Sequence, residues 1–213
     1  MKSTVRLITV LGCTAVLAAA GCKKTDDNKI NFTKAIDTYY SSRQSCLWSD
    51  PIKFPVQADT SDTSKTSGYD ALVDQGLLQR TTAEKKVFII ASKQVTNYDL
   101  TDKGRSAWTA DQSQPGFGNF CYGKPSVSSI DSNTPTNDQP GATTTVSYHY
   151  SISGAPGWAT AAETQTAFPQ VRSDLTGPLA ATATLTNTTN GWAVSSGPGR
   201  RKGVSAADST IVQ

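Results

Sequence analysis

The start of the chain limits which residues can belong to a folded domain. Lys2 and Arg6 are followed by residues 7–20, a run of about 14 residues without a charged side chain. The run ends in small residues directly before Cys22, namely Ala19, Ala20 and Gly21. A positive start, an apolar middle and a small-residue end are typical of a secretory signal peptide. A helix that spans a bilayer needs roughly 20 apolar residues, so a permanent membrane span is the weaker interpretation. We predict that residues 1–21 are removed.

Residues 17–22, Leu-Ala-Ala-Ala-Gly-Cys, resemble the lipobox of bacterial lipoproteins. The resemblance implies that the Cys22 sulfur receives a diacylglyceryl group, that the chain is cut before Cys22, and that the new amino group is acylated. Two or three acyl chains hold a protein firmly to a membrane. In that family an aspartate after the cysteine favours the inner membrane, whereas Lys23 stands here. The implied location is the cell envelope, in the outer membrane facing the periplasm where the host has one. The alternative is an ordinary signal peptide that contains Cys22.

The composition of the remaining chain bounds its partners. Cleavage of the 213-residue chain after residue 21 leaves 192 residues, which fits one domain or two small ones. Loss of Lys2 and Arg6 reduces the 20 basic side chains to 18, against 17 acidic ones. The mature protein is nearly neutral, so it lacks a strong electrostatic field that would attract a nucleic acid or an acidic surface.

Two cysteines, Cys46 and Cys121, remain after Cys13 leaves with the signal and Cys22 takes the lipid. Two thiols in an exported protein favour a disulfide. This bond would close a loop of about 75 residues and contribute roughly 4 kcal/mol on the chain-entropy model. The alternative is a pair of separately buried thiols.

Hydrophobic periodicity predicts an α+β fold in one unit. Residues 22–29 are a polar tether, and residues 30–118 form a helix-rich half that begins with an apolar helical stripe at Phe32, Ile36, Tyr39 and Tyr40. A small β-ribbon is expected at residues 87–101. Residues 119–195 are predicted to form an antiparallel sheet that carries one helix, with the alternating strand 143–152 at its centre. Residues 196–213 are predicted to be a disordered tail.

Part of the helix-rich half, residues 68–108, is similar to a winged-helix domain. The resemblance rests on Leu72-Val73, on residues 76–80 (Gly-Leu-Leu-Gln-Arg) and on residues 98–105 (Tyr-Asp-Leu-Thr-Asp-Lys-Gly-Arg). It implies a helix, a corner, a two-stranded wing and a second helix that begins at the Leu-Thr-x-x-Gly-Arg segment. DNA binding does not carry over, because Cys22 directs the chain out of the cytoplasm. The helix also offers Asp70 and Asp74, where phosphate contact needs Lys and Arg.

Residues for catalysis or metal binding do not form a recognisable pattern. His149 is the only histidine and lies on the polar side of its strand, where a solvated histidine is the expected role. Oxygen ligands for calcium occur in residues 131–138, but Pro135 interrupts them and a solvated loop is favoured. The four tryptophans can line a groove for glycan or peptide, although core packing is more common: Trp48, Trp108, Trp158 and Trp192. We expect no cofactor and no metal.

These observations predict a non-enzymatic binding or accessory module of the envelope, acting on a protein or cell-wall partner. The alternatives are an envelope hydrolase whose acid residues form no recognisable motif, and a lipoprotein that binds a small ligand beneath the sheet.

Overall fold

The computed structural model describes residues 23–88, 91–198 and 210–211. Strands account for 45% of the residues and helices for 29%, so the fold is dominated by sheet. The expectation of a helix-rich N-terminal half is therefore wrong. Periodicity located the helices, but several strands of that half are two to four residues long or are exposed on both faces. Such strands lack an apolar alternation that could reveal them.

The described residues form six helices and eleven strands. The helices are α1 (Lys23–Ser41), α2 (Thr63–Asp74), α3 (Asp102–Ala107), α4 (Gly157–Thr160), α5 (Ala162–Ala167) and α6 (Pro169–Leu175). The strands are β1 (Ser45–Cys46), β2 (Ile52–Lys53), β3 (Val56–Asp59), β4 (Leu78–Phe88), β5 (Ala91–Leu100), β6 (Trp108–Ala110), β7 (Phe117–Asn133), β8 (Thr143–Ser153), β9 (Leu179–Thr188), β10 (Gly191–Ser196) and β11 (Thr210–Ile211).

The larger sheet is antiparallel and curled, and it has seven strands. Its order is β1-β7-β8-β9-β10, with β2 and β6 also paired to β7. The 17-residue β7 changes partners near Gly123, where φ is +152°. A Cβ built on Gly123 would lie 2.6 Å from the Ser153 carbonyl oxygen, so the close approach of β8 requires glycine there. The predicted strand 143–152 is confirmed as the middle strand, β8.

Helix α1 lies across the larger sheet. Its buried residues Phe32, Ile36 and Tyr40 pack against Val146 and Tyr148 of β8. The one helix expected within residues 119–195 had been predicted to carry this packing, and that expectation is wrong. The face assignment of β8 is confirmed, because Tyr148 is fully buried while the His149 side chain is 40% exposed.

The smaller sheet has the order β11-β3-β5-β4. One of its faces packs on α2, through buried residues such as Tyr69, Leu72 and Tyr98. Strands β4 and β5 form a ribbon that starts at Leu78, nine residues before the expected ribbon at 87–101. Residues 87–91 had been predicted as a short apolar strand of their own, but β4 continues to Phe88, which pairs with Ala91 at the start of β5. Residues 89 and 90 lie outside the described residues.

A second core joins the two sheets. It contains buried aromatic residues from both sides of the predicted 118/119 boundary, including Tyr69, Phe120, Trp158 and Phe168 around Trp48. The ring of Trp48 has its centroid 6.1 Å from that of Phe120 and 6.2 Å from that of Phe168. Helices α4 to α6 close this core, so it draws on residues far apart in the sequence.

Two expectations about the ends of the fold need correction. Helix α1 begins at Lys23, inside the segment 22–29 that had been predicted as a polar tether. In the predicted disordered tail 196–213, Thr210 and Ile211 pair with β3, while residues 199–209 and 212–213 lie outside the described residues. No helix within the described ranges is both long enough and apolar enough to cross a membrane.

Candidate functional site

A polar cleft of about 400 Å³ lies on the smaller sheet, on the face that points away from α2. It crosses three strands and is lined by Pro55, Val56, Gln57, Gln79, Thr81, Asn97 and Asp99. The amide, hydroxyl and carboxyl groups come from alternate positions of β3, β4 and β5, which is the spacing that places side chains on one face.

Strand register brings these side chains together. Asn97 of β5 is paired with Gln57 of β3 on one side and with Thr81 of β4 on the other. Asp99 is paired with Gln79. Gln57 Nε2 donates a hydrogen bond to Asn97 Oδ1 at 2.8 Å, which orients both amides across the cleft.

The cleft is suited to hydrogen bonding. Its amides carry both donors and acceptors, and among the described residues that line it Asp99 is the one ionisable side chain. An Asp99 carboxylate oxygen accepts from the Leu100 backbone N–H at 2.8 Å. Pro55 adds apolar surface at one end, whereas Val56 is 1% exposed and belongs to the core on the other face of the sheet. This arrangement favours a neutral or cationic polar group and disfavours an anion.

The opposite face of the same strands is held by a buried hydroxyl. Tyr98 is 1% exposed and donates to Asp70 Oδ1 of α2 at 3.0 Å. Arg80 donates to the same oxygen at 2.7 Å. Burial, followed by the hydrogen bond to Asp70, raises the pKa of Tyr98 well above its ordinary value, so the hydroxyl stays protonated as a donor. The floor of the cleft is thereby attached to α2.

The structure confirms the predicted disulfide. Cys46 and Cys121 are bonded, with their Cα atoms 3.8 Å apart, and they are paired residues of β1 and β7. The alternative of two separately buried thiols is wrong. Cys22, the predicted lipidation site, lies outside the described residues.

The other sequence candidates lie apart from the cleft. His149 Nδ1 is 2.8 Å from Asp131 Oδ2 at the surface of the larger sheet. Among the described residues, no group of three or more His, Cys, Asp or Glu side chains could hold a metal ion. Trp48 and Trp158 are buried in the core, as the packing interpretation expected, while Trp108 and Trp192 are partly buried against the two cores.

The cleft itself was missed at the sequence level. Its signal was polar alternation, with Gln79 and Thr81 two residues apart on β4 and with Asn97 and Asp99 two apart on β5. Polar alternation marks any solvated strand face, so it could not indicate that three such faces form one concave surface.

No family model, curated protein or solved structure matches this chain.

Proposed function

We propose that the chain is a lipid-anchored bacterial cell-envelope lipoprotein that acts as a non-enzymatic binding or accessory module. The observation that carries the anchor is the sequence of residues 17–22, which follows a short uncharged run and ends in Cys22. The proposed location is the outer membrane, facing the periplasm, because Lys23 follows the cysteine. The membrane is the first partner, through the lipid, and an envelope protein or a cell-wall component is the second.

The cleft on the smaller sheet supports the binding role. It offers amides, a hydroxyl and a single carboxylate, Asp99, whereas paired-carboxylate hydrolysis requires two converging acids. Its central strand β5 is fixed to α2 through Tyr98, and β4 through Arg80, so the polar groups stand on a rigid base.

The winged-helix likeness of residues 68–108 is proposed as a likeness of fold alone. The order of α2, β4, β5 and α3 is compatible with it. DNA is not proposed as a ligand, because α2 presents Asp70 and Asp74 and the mature chain is nearly neutral.

The anchor is tested by replacing Cys22 in the precursor. We expect the wild-type chain, expressed in a bacterial host, to incorporate labelled palmitate and to fractionate with the membrane. Cys22→Ser should take up no label and leave the membrane fraction. The matched control is Cys13→Ser, which changes a cysteine inside the signal and should behave as the wild type. A cleaved, unlabelled wild-type protein in the soluble fraction would contradict the proposal.

A further inference from the structure

Strand β3 is flanked on both sides. Along one side its four residues pair with β5, from Val56 with Tyr98 to Asp59 with Val95. Along the other side Gln57 pairs with Thr210 and Val56 pairs with Ile211. A two-residue strand from a distant part of the sequence therefore occupies the outer edge of β3.

An edge strand is a ready template for another extended segment. Its outward N–H and C=O groups can pair with any backbone in the right register. In recognition by strand addition, these backbone bonds supply affinity, and pockets beside the strand select the side chains.

The occupied edge and the polar cleft share residues. Val56 and Gln57 are paired with residues 210–211 and also line the cleft. A segment that pairs with β3 thus runs directly beside the cleft. The cleft has an apolar end at Pro55, and a polar part that contains Asn97 and Asp99.

We propose that the outer edge of β3 and the adjoining cleft form a docking site for an extended peptide segment, which residues 210–211 of the same chain occupy until a partner peptide replaces them. The preferred partner carries an uncharged polar or cationic side chain beside the cleft, because Asp99 is the only ionisable group among the described lining residues. This inference rests on the proposed binding role and is independent of the lipid anchor.

The pairing that a partner peptide must replace is short, because β11 pairs with β3 through two residues. Ser196 ends β10 and Thr210 starts β11, and the 13 residues between them can span up to about 43 Å when extended. A tethered segment of this kind competes at an effective concentration on the order of millimolar. A partner peptide displaces it when the ratio of its free concentration to its Kd exceeds the ratio of this effective concentration to the Kd of the tethered segment.

The first experiment measures amide hydrogen exchange in the full mature chain. The variant Thr210→Pro/Ile211→Pro removes both backbone donors of β11, and Thr210→Val/Ile211→Val is the control that keeps them. We expect the β3 amides that face β11 to exchange about tenfold faster in the proline variant, while amides between β4 and β5 stay unchanged. Equal exchange at β3 in the wild type and in both variants would overturn the proposal.

The second experiment measures occupancy by a free peptide. A fluorescein-labelled peptide of residues 205–213 is titrated with each chain, and anisotropy is recorded. We expect it to bind the proline variant at least about tenfold more tightly than the wild type, since the tethered competitor is gone. The same peptide with Pro at both β11 positions should not bind, and Asn97→Ala in the proline variant should weaken binding.

Two results would contradict the docking site: no binding to the proline variant, or equal binding of a scrambled peptide. These outcomes are separate from the Cys22 test. Palmitate labelling reports on the anchor whether or not the edge of β3 accepts a peptide.

Discussion

At the scale of single residues, one buried hydroxyl pair links α1 to the larger sheet. The hydroxyl oxygens of Tyr40 and Tyr148 lie 2.8 Å apart, and both side chains are at least 94% buried. Burial, reinforced by the hydrogen bond to Tyr148, raises the pKa of Tyr40 far above its ordinary value, so the pair remains neutral.

Removal of one hydroxyl leaves the other buried and unpaired. We expect Tyr40→Phe or Tyr148→Phe alone to lower the free energy of unfolding by about 1–3 kcal/mol, and the double variant to lose little more than either single one. Urea denaturation of the four proteins measures this as a double-mutant cycle. Strictly additive losses would show that the two hydroxyls do not depend on each other.

Asp59 gives a residue-scale prediction on pH. Hydrogen bonds from Lys93 and then from Ser61 hold the pKa of this carboxyl at about 2, below its ordinary 3.8. Since the unfolded chain takes up the proton first, the contribution of Asp59 to stability is complete above about pH 4 and declines as the pH falls towards 2.

Replacing Lys93 with Met should raise the pKa of Asp59 towards 3.8, with the Ser61 donors holding it partly down. An NMR titration of the Asp59 carboxyl carbon measures the change. Lys85→Met is the matched control, because Lys85 is the exposed strand partner of Lys93. An unchanged pKa in Lys93→Met would show that the ion pair does not form in solution.

At the scale of elements, the start of α3 depends on two residues of the Leu-Thr-x-x-Gly-Arg segment. Thr101 caps the helix, because its hydroxyl accepts from the Gly104 N–H at 2.9 Å and donates to the Gly76 carbonyl at 2.7 Å. Gly104 permits close packing, since a Cβ there would lie 1.9 Å from the Leu77 carbonyl oxygen. The helix is thus locked to the turn that follows α2.

Substitutions at these two positions should differ in size. Thr101→Ala should cost about 1 kcal/mol through the lost cap, and Thr101→Ser should restore most of it. Gly104→Ala should cost more, because a backbone atom must move to make room. Thermal unfolding monitored by circular dichroism gives the order, and a Gly104→Ala protein as stable as the wild type would refute the packing argument.

At the scale of the whole molecule, the disulfide joins β1 to β7 across the sheet. It closes a long loop, since Cys46 and Cys121 are separated by 75 positions. The double variant Cys46→Ser/Cys121→Ser should lose about 4 kcal/mol of unfolding free energy on the chain-entropy model.

Urea denaturation of the double variant and of the reduced wild-type protein should give matching losses, because both remove the same constraint on the unfolded chain. A loss below about 1 kcal/mol in both would mean that the unfolded chain is already compact around this loop.

Local patterns were sufficient for features that depend on neighbouring residues. The stripe of Phe32, Ile36 and Tyr40 predicted a helix, and the alternation of Val146, Tyr148 and Tyr150 predicted a strand with one buried face. Thr101 accepts from the Gly104 N–H at the start of α3, which is the local role expected of a threonine directly before a helix. In each case the apolar period or the capping residue follows directly from the geometry of one element.

Assembly of the elements depended on contacts between residues far apart in the chain. Helix α1 crosses the larger sheet because its residues pack against distant strands. Phe32 packs against Trp192 of β10, and the two ring centroids lie 5.1 Å apart. The cleft exists because β3, β5 and β4 align Gln57, Asn97 and Thr81 in one row. The pattern of residues 17–22, from which the lipid anchor is proposed, lies in a single stretch of sequence. The cleft arises only when three polar strand faces meet, because its shape and its hydrogen-bonding groups belong to the sheet and not to any one strand.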